Sequence, residues 1–360
     1  TTNMALGPFM MGIGKAFCAA FNAVDIDAEL REWPKYNYSN GATPERVGQW
    51  FYDMEIAGFS FLEDDFSEYD STQGIGAHEC EVNFYNKFNP PESASNALKR
   101  QAETKGFSKW HKYTVAFTRK SGDQNTSIGN TFINFTAHGG AVASYCDRFK
   151  CKVEFSMVGL GDDNVLAYKL PVGRNHKEFM CHINDHISMM GLKPKLSKPE
   201  IVTYCSCEFV PVRRMIAGKL SDTYVLCPKL DRYLTKMAYA TTFVGKTAIL
   251  TKGRLRGNAL GQTVLQLMPI GRVVNRYYAN LGEKEVRTTI SESWRAHGDQ
   301  HSVLEPRGMD EWFTKVYGLT PQQVTEIEAF LACVLAKNDG KPCYYYHPNL
   351  ATMFKHRRSC

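Results

Sequence analysis

Eleven cysteines are present without a single CxxC pair, and the 360 residues contain no low-complexity tract, no repeat of solenoid period and no secretory signal at the start. The missing CxxC removes zinc ribbons and thioredoxin-like redox sites. The missing repeats and biased tracts remove solenoids and disordered tails. An odd, scattered set of thiols behind no leader fits a reducing compartment. Long apolar runs are also lacking. The stretch Met4–Val24 is interrupted by Gly7, Gly12, Gly14 and Lys15, too broken for a bilayer span, and reads as a buried helix. Acidic residues are scarce in one place: positions 213–276 carry twelve Lys and Arg against only Asp222 and Asp231.

What is present describes an ordinary globular chain, 43% hydrophobic and 22% charged, long enough for two or three domains or one body with subdomains. Residues 1–200 hold 21 basic and 24 acidic side chains, whereas 201–360 hold 22 and 13. The C-terminal part is therefore the one suited to a phosphate backbone. Cys146 with Cys151, and Cys181 with His182 and His186, offer no complete four-ligand zinc set, and no zinc is assigned.

Three short segments carry the chemistry: EDDFSEYDST (63–72), SGDQNTSIGNT (121–131) and GLGDDN (159–164). A Gly-Asp-Asp triplet alone turns up by chance in roughly one chain in ten at average residue usage. The ordered set is what has weight. Gly58–Asp65 reads as a strand ending on carboxylates, with Glu63 and Asp64 open to being simple solvated charges. Thr126 to about Tyr145 reads as a closely packed helix, and 153–160 and 165–170 as a hairpin with an exposed acidic turn. Glu92 to about Lys105 reads as an exposed helix. Asn175–Met190 reads as a helix with Phe179, Ile183, Ile187 and Met190 on its buried stripe and Gly191 as its stop. Ile201–Val212 reads as a further strand or hairpin.

Two hard divalent cations require carboxylate oxygens from separate strands meeting at one point. A strand ending in Asp65 beside a turn carrying Asp162 and Asp163 supplies them. The D-x4-D spacing to Asp70 selects Asp65 over Asp64, whose side chain points to the opposite face of an extended strand.

On these residues the chain resembles the palm and thumb of a positive-strand RNA virus RNA-dependent RNA polymerase, of nodavirus-like or tombusvirus-like type, from about residue 1 to about 212. Asp65 and Asp70 fit that family's D-x4-D motif; Ser121, Gly122, Thr126 and Asn130 fit S-G-x3-T-x3-N; Gly161, Asp162 and Asp163 fit GDD. The resemblance implies a right-hand α/β (α+β) fold with an antiparallel palm sheet flanked by helices. It places partial fingers at 1–55, palm at 56–80 and 116–212, a fingers insertion at 81–115 and a mainly helical thumb at 213–360.

It further implies RNA-templated synthesis from ribonucleoside triphosphates with two Mg²⁺ ions, Mn²⁺ being able to substitute. Asp65, Asp162 and Asp163 would hold the metals, and Asp70, Ser121, Thr126 and Asn130 would recognise the ribose, with Gly122 letting the loop flex. A lysine among Lys193, Lys195 and Lys198 would protonate the leaving pyrophosphate, Lys198 being favoured by its distance from Gly191. The segment around Cys205–Val210 resembles a primer grip. Lys229, Arg232, Lys236, Lys252, Arg254 and Arg256 would hold RNA phosphates on the thumb. The expected partners are template and product RNA, nucleotides and the upstream part of a larger replicase polypeptide, since the family's basic fingertip motif would precede Thr1 in a processed product or excised fragment. The implied setting is a membrane-associated replication complex in the host cytoplasm. Reverse transcriptase and a catalytically silent RNA-binding scaffold are the alternatives.

Overall fold

A computed structural model describes residues 2–21, 33–236, 263–280, 304–338 and 346–359, together with the single positions Arg256 and Ala259. Packing divides the chain into two units, Thr1–Ala42 with Met54–Pro199, and Thr43–Asp53 with Glu200–Cys360. Each has its own hydrophobic core.

The first unit opens with helix α1 (Thr2–Phe21). Leu6, Met10, Ile13 and Phe17 recur at spacings of four and three, form one stripe and are buried, while Met4 and Met11 on the other side are exposed. Burial of this helix is therefore confined to one face. Strand β1 (Tyr36–Tyr38), strand β2 (Ser60–Asp64) and helices α3 (Tyr69–Thr72), α4 (Ile75–Asn86) and α5 (Glu92–Arg100) follow, while helix α2 (Pro44–Ile56), between β1 and β2 in the chain, belongs through Asp53 to the second unit. A two-stranded ribbon of β3 (Glu103–Phe107) and β4 (Lys112–Ala116) comes next, then α6 (Thr126–Phe149), β5 (Glu154–Leu160), β6 (Asp163–Lys169), α7 (His176–Met189) and β7 (Leu196–Ser197).

The sheet runs in the order β1-β5-β6-β2-β7, with β1 parallel to β5 and the other pairs antiparallel. Val165 to Tyr168 of β6 are all fully buried, which explains the continuous apolar run of that strand: it is covered on both faces. Leu160 pairs with Asp163, leaving Gly161 and Asp162 as a two-residue turn. Gly161 has φ 68°, the left-handed value that a type II′ hairpin turn requires at its first central position and that glycine adopts without strain.

Three expectations change. The helix from Glu92 stops at Arg100, and Glu103–Phe107 becomes a strand because residues 103–107 pair with 112–116. On α7, Phe179, Ile183 and Ile187 are fully buried as expected, but Met190 is exposed at the frayed end of the stripe. Asp64 is no solvated charge: it is buried on the same face as Leu62, with a partner on α6.

In the second unit, β9 (Cys207–Ile216) and β10 (Lys219–Pro228) form a ten-pair antiparallel ladder, flanked by β8 (Thr203–Tyr204) and β11 (Glu305–Pro306). The strand expected to end at Val212 runs on to Ile216 and turns through Ala217 and Gly218. Both have positive φ, as a type I′ turn demands. Helices α8 (Leu230–Lys236), α9 (Gly271–Ala279), α10 (Met309–Tyr317), α11 (Pro321–Asn338) and α12 (Pro348–Ser359) complete the described part of this unit.

Phe179 stacks on Tyr168 at 4.7 Å and meets Tyr145 edge-on at 5.0 Å. Phe179→Ala should therefore cost about 3–5 kcal/mol in urea unfolding. Met190→Ala at the exposed end of the same helix should stay within about 0.5 kcal/mol. A similar loss in both variants would put Met190 back in the core.

Candidate active site

The acidic turn and the end of β2 converge because β2 and β6 are antiparallel neighbours. Asp64 pairs with Asn164, so Asp65, one residue further, comes level with Asp163 beside the Gly161–Asp162 turn. Asp65, Asp162 and Asp163 are all exposed. Asp162, exposed as a residue but with its carboxyl partly shielded by the protein around it, has its pKa raised: that partial burial contributes most, its own backbone amide pulls back, and the charges of Asp70 and Asp65 push further up. Asp162 thus lies close enough to Asp70 and to Asp65 to be repelled by both. Among the described residues no three Asp, Glu, His or Cys side chains close around a single ion. A solvent-facing carboxylate set that leaves positions open fits a divalent cation of the Mg²⁺ kind, which keeps waters and phosphate oxygens in its shell rather than sitting in an all-protein cage.

The backbone of the turn is held from α6. Thr131 Oγ1 accepts from Gly161 N at 2.7 Å, and Asn134 Nδ2 donates to the carbonyls of Gly161 and Asp162 at 3.1 Å each. Asn134 Oδ1 in turn accepts from Asn164 Nδ2 at 3.1 Å. One helical turn on, His138 Nδ1 donates to the Asn134 carbonyl, and Nε2 stands 3.4 Å from Asp64 Oδ2 with both side chains fully buried. Asp64 Oδ1 accepts from Lys195 N at 2.8 Å, which ties β7 to the same point.

Beside the turn, Asp70 on α3 is engaged at both oxygens. Asn130 Nδ2 donates to Oδ1 at 2.8 Å, and the Ser121 hydroxyl donates to Oδ2. The orientation of Asn130 is determined by its other end, where Oδ1 accepts from Gln73 Nε2 at 2.7 Å and from Arg119 Nε at 2.9 Å. Two donors on one oxygen leave the amide nitrogen facing Asp70. Arg119 also donates to Gln73 Oε1 and forms a buried ion pair with Glu81. Burial pulls the Arg119 pKa down, yet the charge of Glu81 and the hydrogen bond to it leave it raised. Gly129 is required for this approach, since a Cβ there would lie 2.1 Å from Glu81 Oε1. Thr126 caps the loop by donating to the Lys120 carbonyl at 2.9 Å, and Gly122 has φ 93°. Asp70, Gly122, Thr126, Asn130 and Asp162 line one open cleft of about 470 Å³, a size suited to a small ligand.

Other expected residues are not brought to this place. Lys198 is exposed and lies beyond the β7 pairing, level with the interior of β2, near enough to His176 to lower that histidine's pKa after burial has done so. Of the three lysines, Lys195 is the one level with Asp65, and Lys193 pairs with Glu68 at 3.0 Å. In the second unit Lys229 is half-buried, Arg232 is exposed and Arg256 is half-buried; Lys252 and Arg254 lie outside the described residues, as does the side chain of Lys236. Part of the basic segment is neutralised internally: Asp222 pairs with Arg213 and Arg307, and Arg272 makes a two-bond pair with Glu328.

Sequence reasoning missed Arg119, Glu81 and Gln73, and also Thr131, Asn134 and His138. The last three carried a signal: with Ser127 they recur at steps of four, three and four, a polar stripe along a helix whose remaining buried positions are mostly apolar. Glu81 and Gln73 carried none.

Residues 60–246, more than half of the chain, match the profile of the viral RNA dependent RNA polymerase family, and the chain belongs to that family. Over 135 residues it is 24% identical to the replicase large subunit of Sunn-hemp mosaic virus, a stretch covering 37% of this chain and 8% of that protein. The crystal structure of the RNA-dependent RNA polymerase of a human picorbirnavirus superposes with a TM-score of 0.56 at 12% identity, over 94% of this chain and 57% of the other. The fold is thus that of the viral right-hand polymerases. The chain spans just over half the length of the solved polymerase and less than a tenth of the replicase.

A carboxyl with raised pKa stabilises the fold below its unfolded pKa, and that contribution is lost as the pH rises through the folded value. Asp162 is such a group, so Asp162→Asn should melt at a higher temperature than the parent at pH 7–8. The difference should shrink as the pH falls through the carboxylate range. A lower melting temperature for the variant at neutral pH would contradict the repulsion.

Proposed function

We propose that this chain is the catalytic core of an RNA-dependent RNA polymerase, transferring nucleotidyl groups from ribonucleoside triphosphates to the 3′-hydroxyl of an RNA strand. The observation that carries this reading is the convergence of Asp162, Asp70 and Asn130 on one cleft, with Asp65 beside the acidic turn and Ser121 bonded to Asp70, in a chain of that family and fold. In the reaction the 3′-oxygen forms a bond to the α-phosphorus, the bond from that phosphorus to the bridging oxygen breaks, and pyrophosphate departs. Divalent cations, Mg²⁺ in this reading, supply the activation of the 3′-hydroxyl and the charge neutralisation of the triphosphate. Asp65 and Asp162, with Asp163 alongside, are the residues that would hold them.

The chain's own contribution is orientation and sugar selection. Asp70, held by Asn130 and Ser121, presents acceptor lone pairs, the Ser121 oxygen adds another acceptor, and the second proton of the Asn130 amide presents a donor. A 2′-hydroxyl, both donor and acceptor, matches such a set. For the proton delivered to pyrophosphate, the reading favours Lys195, level with Asp65, over Lys198. Lys229, Arg232 and Arg256 are the described candidates for holding product RNA in the second unit. Fingers, palm and thumb are assigned at the boundaries given above. The likeness to a replicase large subunit supports a place in a longer replicase polypeptide, and the resemblance alone supports a membrane-associated complex in the host cytoplasm. No helix among the described residues is long and apolar enough to cross a membrane.

Primer extension on an RNA template with Mg²⁺ or Mn²⁺ tests the reading, using this chain and a version extended at its N-terminus. Asp65→Asn should lower elongation at least about a thousandfold, about 4 kcal/mol of barrier, with little change in RNA affinity. Near-normal elongation by that variant would remove Asp65 from the metal set.

A buried site built to hydrogen-bond a hydroxyl rejects its deoxy analogue by up to about 10⁴-fold. Asp70→Ala and Asn130→Ala should both narrow the ratio of kcat/KM between a ribonucleotide and its deoxy counterpart. An unchanged ratio in both would end the assignment.

A further inference from the structure

The ribbon β3–β4 is the least covered element of the first unit. None of its side chains belongs to that unit's core, and every residue of β4 is exposed. Phe107 is 85% and Trp110 76% exposed, at and beside the tip. The tip is nonetheless ordered: Ser108 N donates to the His111 carbonyl at 2.7 Å, and Ser108 Oγ accepts from His111 N at 3.0 Å. Tyr113 covers Gly106 with its ring, where a Cβ would meet the ring at 2.1 Å. That ring serves the ribbon itself. Phe107 and Trp110 have no such use.

Cations surround them. Phe107 is the cross-strand partner of Lys112 and so shares its face, with Lys105 two residues back on the same side. Lys109 Nζ stands 4.6 Å from the centre of the Trp110 ring. Glu103, paired with Lys105 at 2.6 Å, is the acidic residue in a stretch that also carries Lys99, Arg100, Lys109 and Lys112. Exposed aromatic faces set among uncompensated lysines match unpaired bases on a phosphate backbone, which stack on the rings while the cations take the charge.

The base of the ribbon joins the site. Phe117 N donates to the Ala102 carbonyl at 2.8 Å, closing the ribbon, and two residues later Arg119 N donates to the Asp70 carbonyl at 2.9 Å. A strand lying along β4, about 17 Å long, therefore arrives at the loop that carries Ser121 and Gly122. This continuity, and a tip with two aromatics and no aliphatic side chain, favour nucleic acid over a lipid surface. We infer that the β3–β4 ribbon is a single-stranded RNA binding element, holding unpaired template by stacking on Phe107 and Trp110 and by phosphate contacts to Lys109 and Lys112. The inference rests on the RNA polymerase reading and adds to it a site outside the catalytic set.

The test is fluorescence anisotropy of a labelled oligouridylate of about 12 nucleotides, and of a blunt RNA duplex, titrated with the 360-residue chain over a range of salt. Phe107→Ala/Trp110→Ala should bind the single strand at least about tenfold more weakly, with duplex affinity and melting temperature unchanged. Lys109→Ala/Lys112→Ala should flatten the log–log salt dependence by about 0.7 per lysine. If wild type binds the single strand and the aromatic variant binds it equally well, or loses duplex affinity to the same extent, the ribbon is not the element and the polymerase reading stands. If wild type binds neither RNA, both fail. Trp110-dependent sedimentation with phosphatidylserine vesicles, in place of RNA binding, would assign the ribbon to a membrane and overturn the inference.

Discussion

A buried guanidinium would destabilise this fold by several kcal/mol if left alone, and the organisation around Arg119 follows from that constraint. Glu81 on α4 neutralises it, Gln73 and Asn130 take its remaining directions, and Asn125 donates to Glu81 Oε1 at 2.7 Å. Gln101, just past α5, donates to Asn125 and to Asp123. The ends of three helices and the loop 117–125 are thereby set relative to one another by one satisfied polar network. Its consequence for chemistry is narrow and specific. With Asn130 Oδ1 occupied by two donors, its nitrogen must face Asp70, and the donor and acceptor pattern in the cleft is determined before any ligand arrives. A half-satisfied network of this kind would be worse than an apolar core.

Helix α6 is the second organising element. It threads between the two halves of the site, contributing Asn130 on the Asp70 side, Thr131 and Asn134 beneath the acidic turn, and His138 against Asp64. The backbone of Gly161 and Asp162 is held by donors and acceptors from a rigid helix rather than by the turn alone. Carboxylates that repel one another can be kept together in this way, because the energy that places them resides in neutral hydrogen bonds one layer below. Arg119–Glu81 and Asp64–His138 flank the site on either side, and neither pair faces the cleft.

Charge in the second unit has a different distribution from its sequence count. Arg213 and Arg307 share Asp222, and Arg272 is tied to Glu328, so those cations serve internal structure. The β3–β4 ribbon, in a part of the chain with no net positive charge overall, holds lysines that face solvent beside bare aromatic rings. Local exposure, not segment-wide net charge, decides which cations are available to a phosphate backbone.

Strand β6, an acidic hairpin turn, helix α6 and helix α7 were legible in the sequence, because a buried strand, a turn and an apolar helical stripe each depend on neighbours only a few residues apart; the pairing of Leu160 with Asp163 narrows the expected turn at 161–164 to Gly161 and Asp162. The difference between a buried Asp64 and an exposed Asp65 was legible for the same reason: alternation along a strand sends adjacent side chains to opposite faces. The grouping of Asp70 with Asn130 and of Asp65 with Asp162 came from the family resemblance; what lay out of reach was which distant residue satisfies each buried polar group. Glu81 meets Arg119 across 38 residues, Gln73 meets Asn130 across 57, and Asp64 receives Lys195 across 131. The position of Lys198 away from the acidic turn was equally invisible, since it is set by the register of a two-residue strand. The end of α5 at Arg100 depended on a pairing partner, Lys112–Ala116, that lies beyond the span of a helical pattern. Local pattern determined the elements and the residue types at the cleft, and tertiary structure decided which polar groups they meet, because the cost of burying an unpaired charge is settled only when distant segments come into contact.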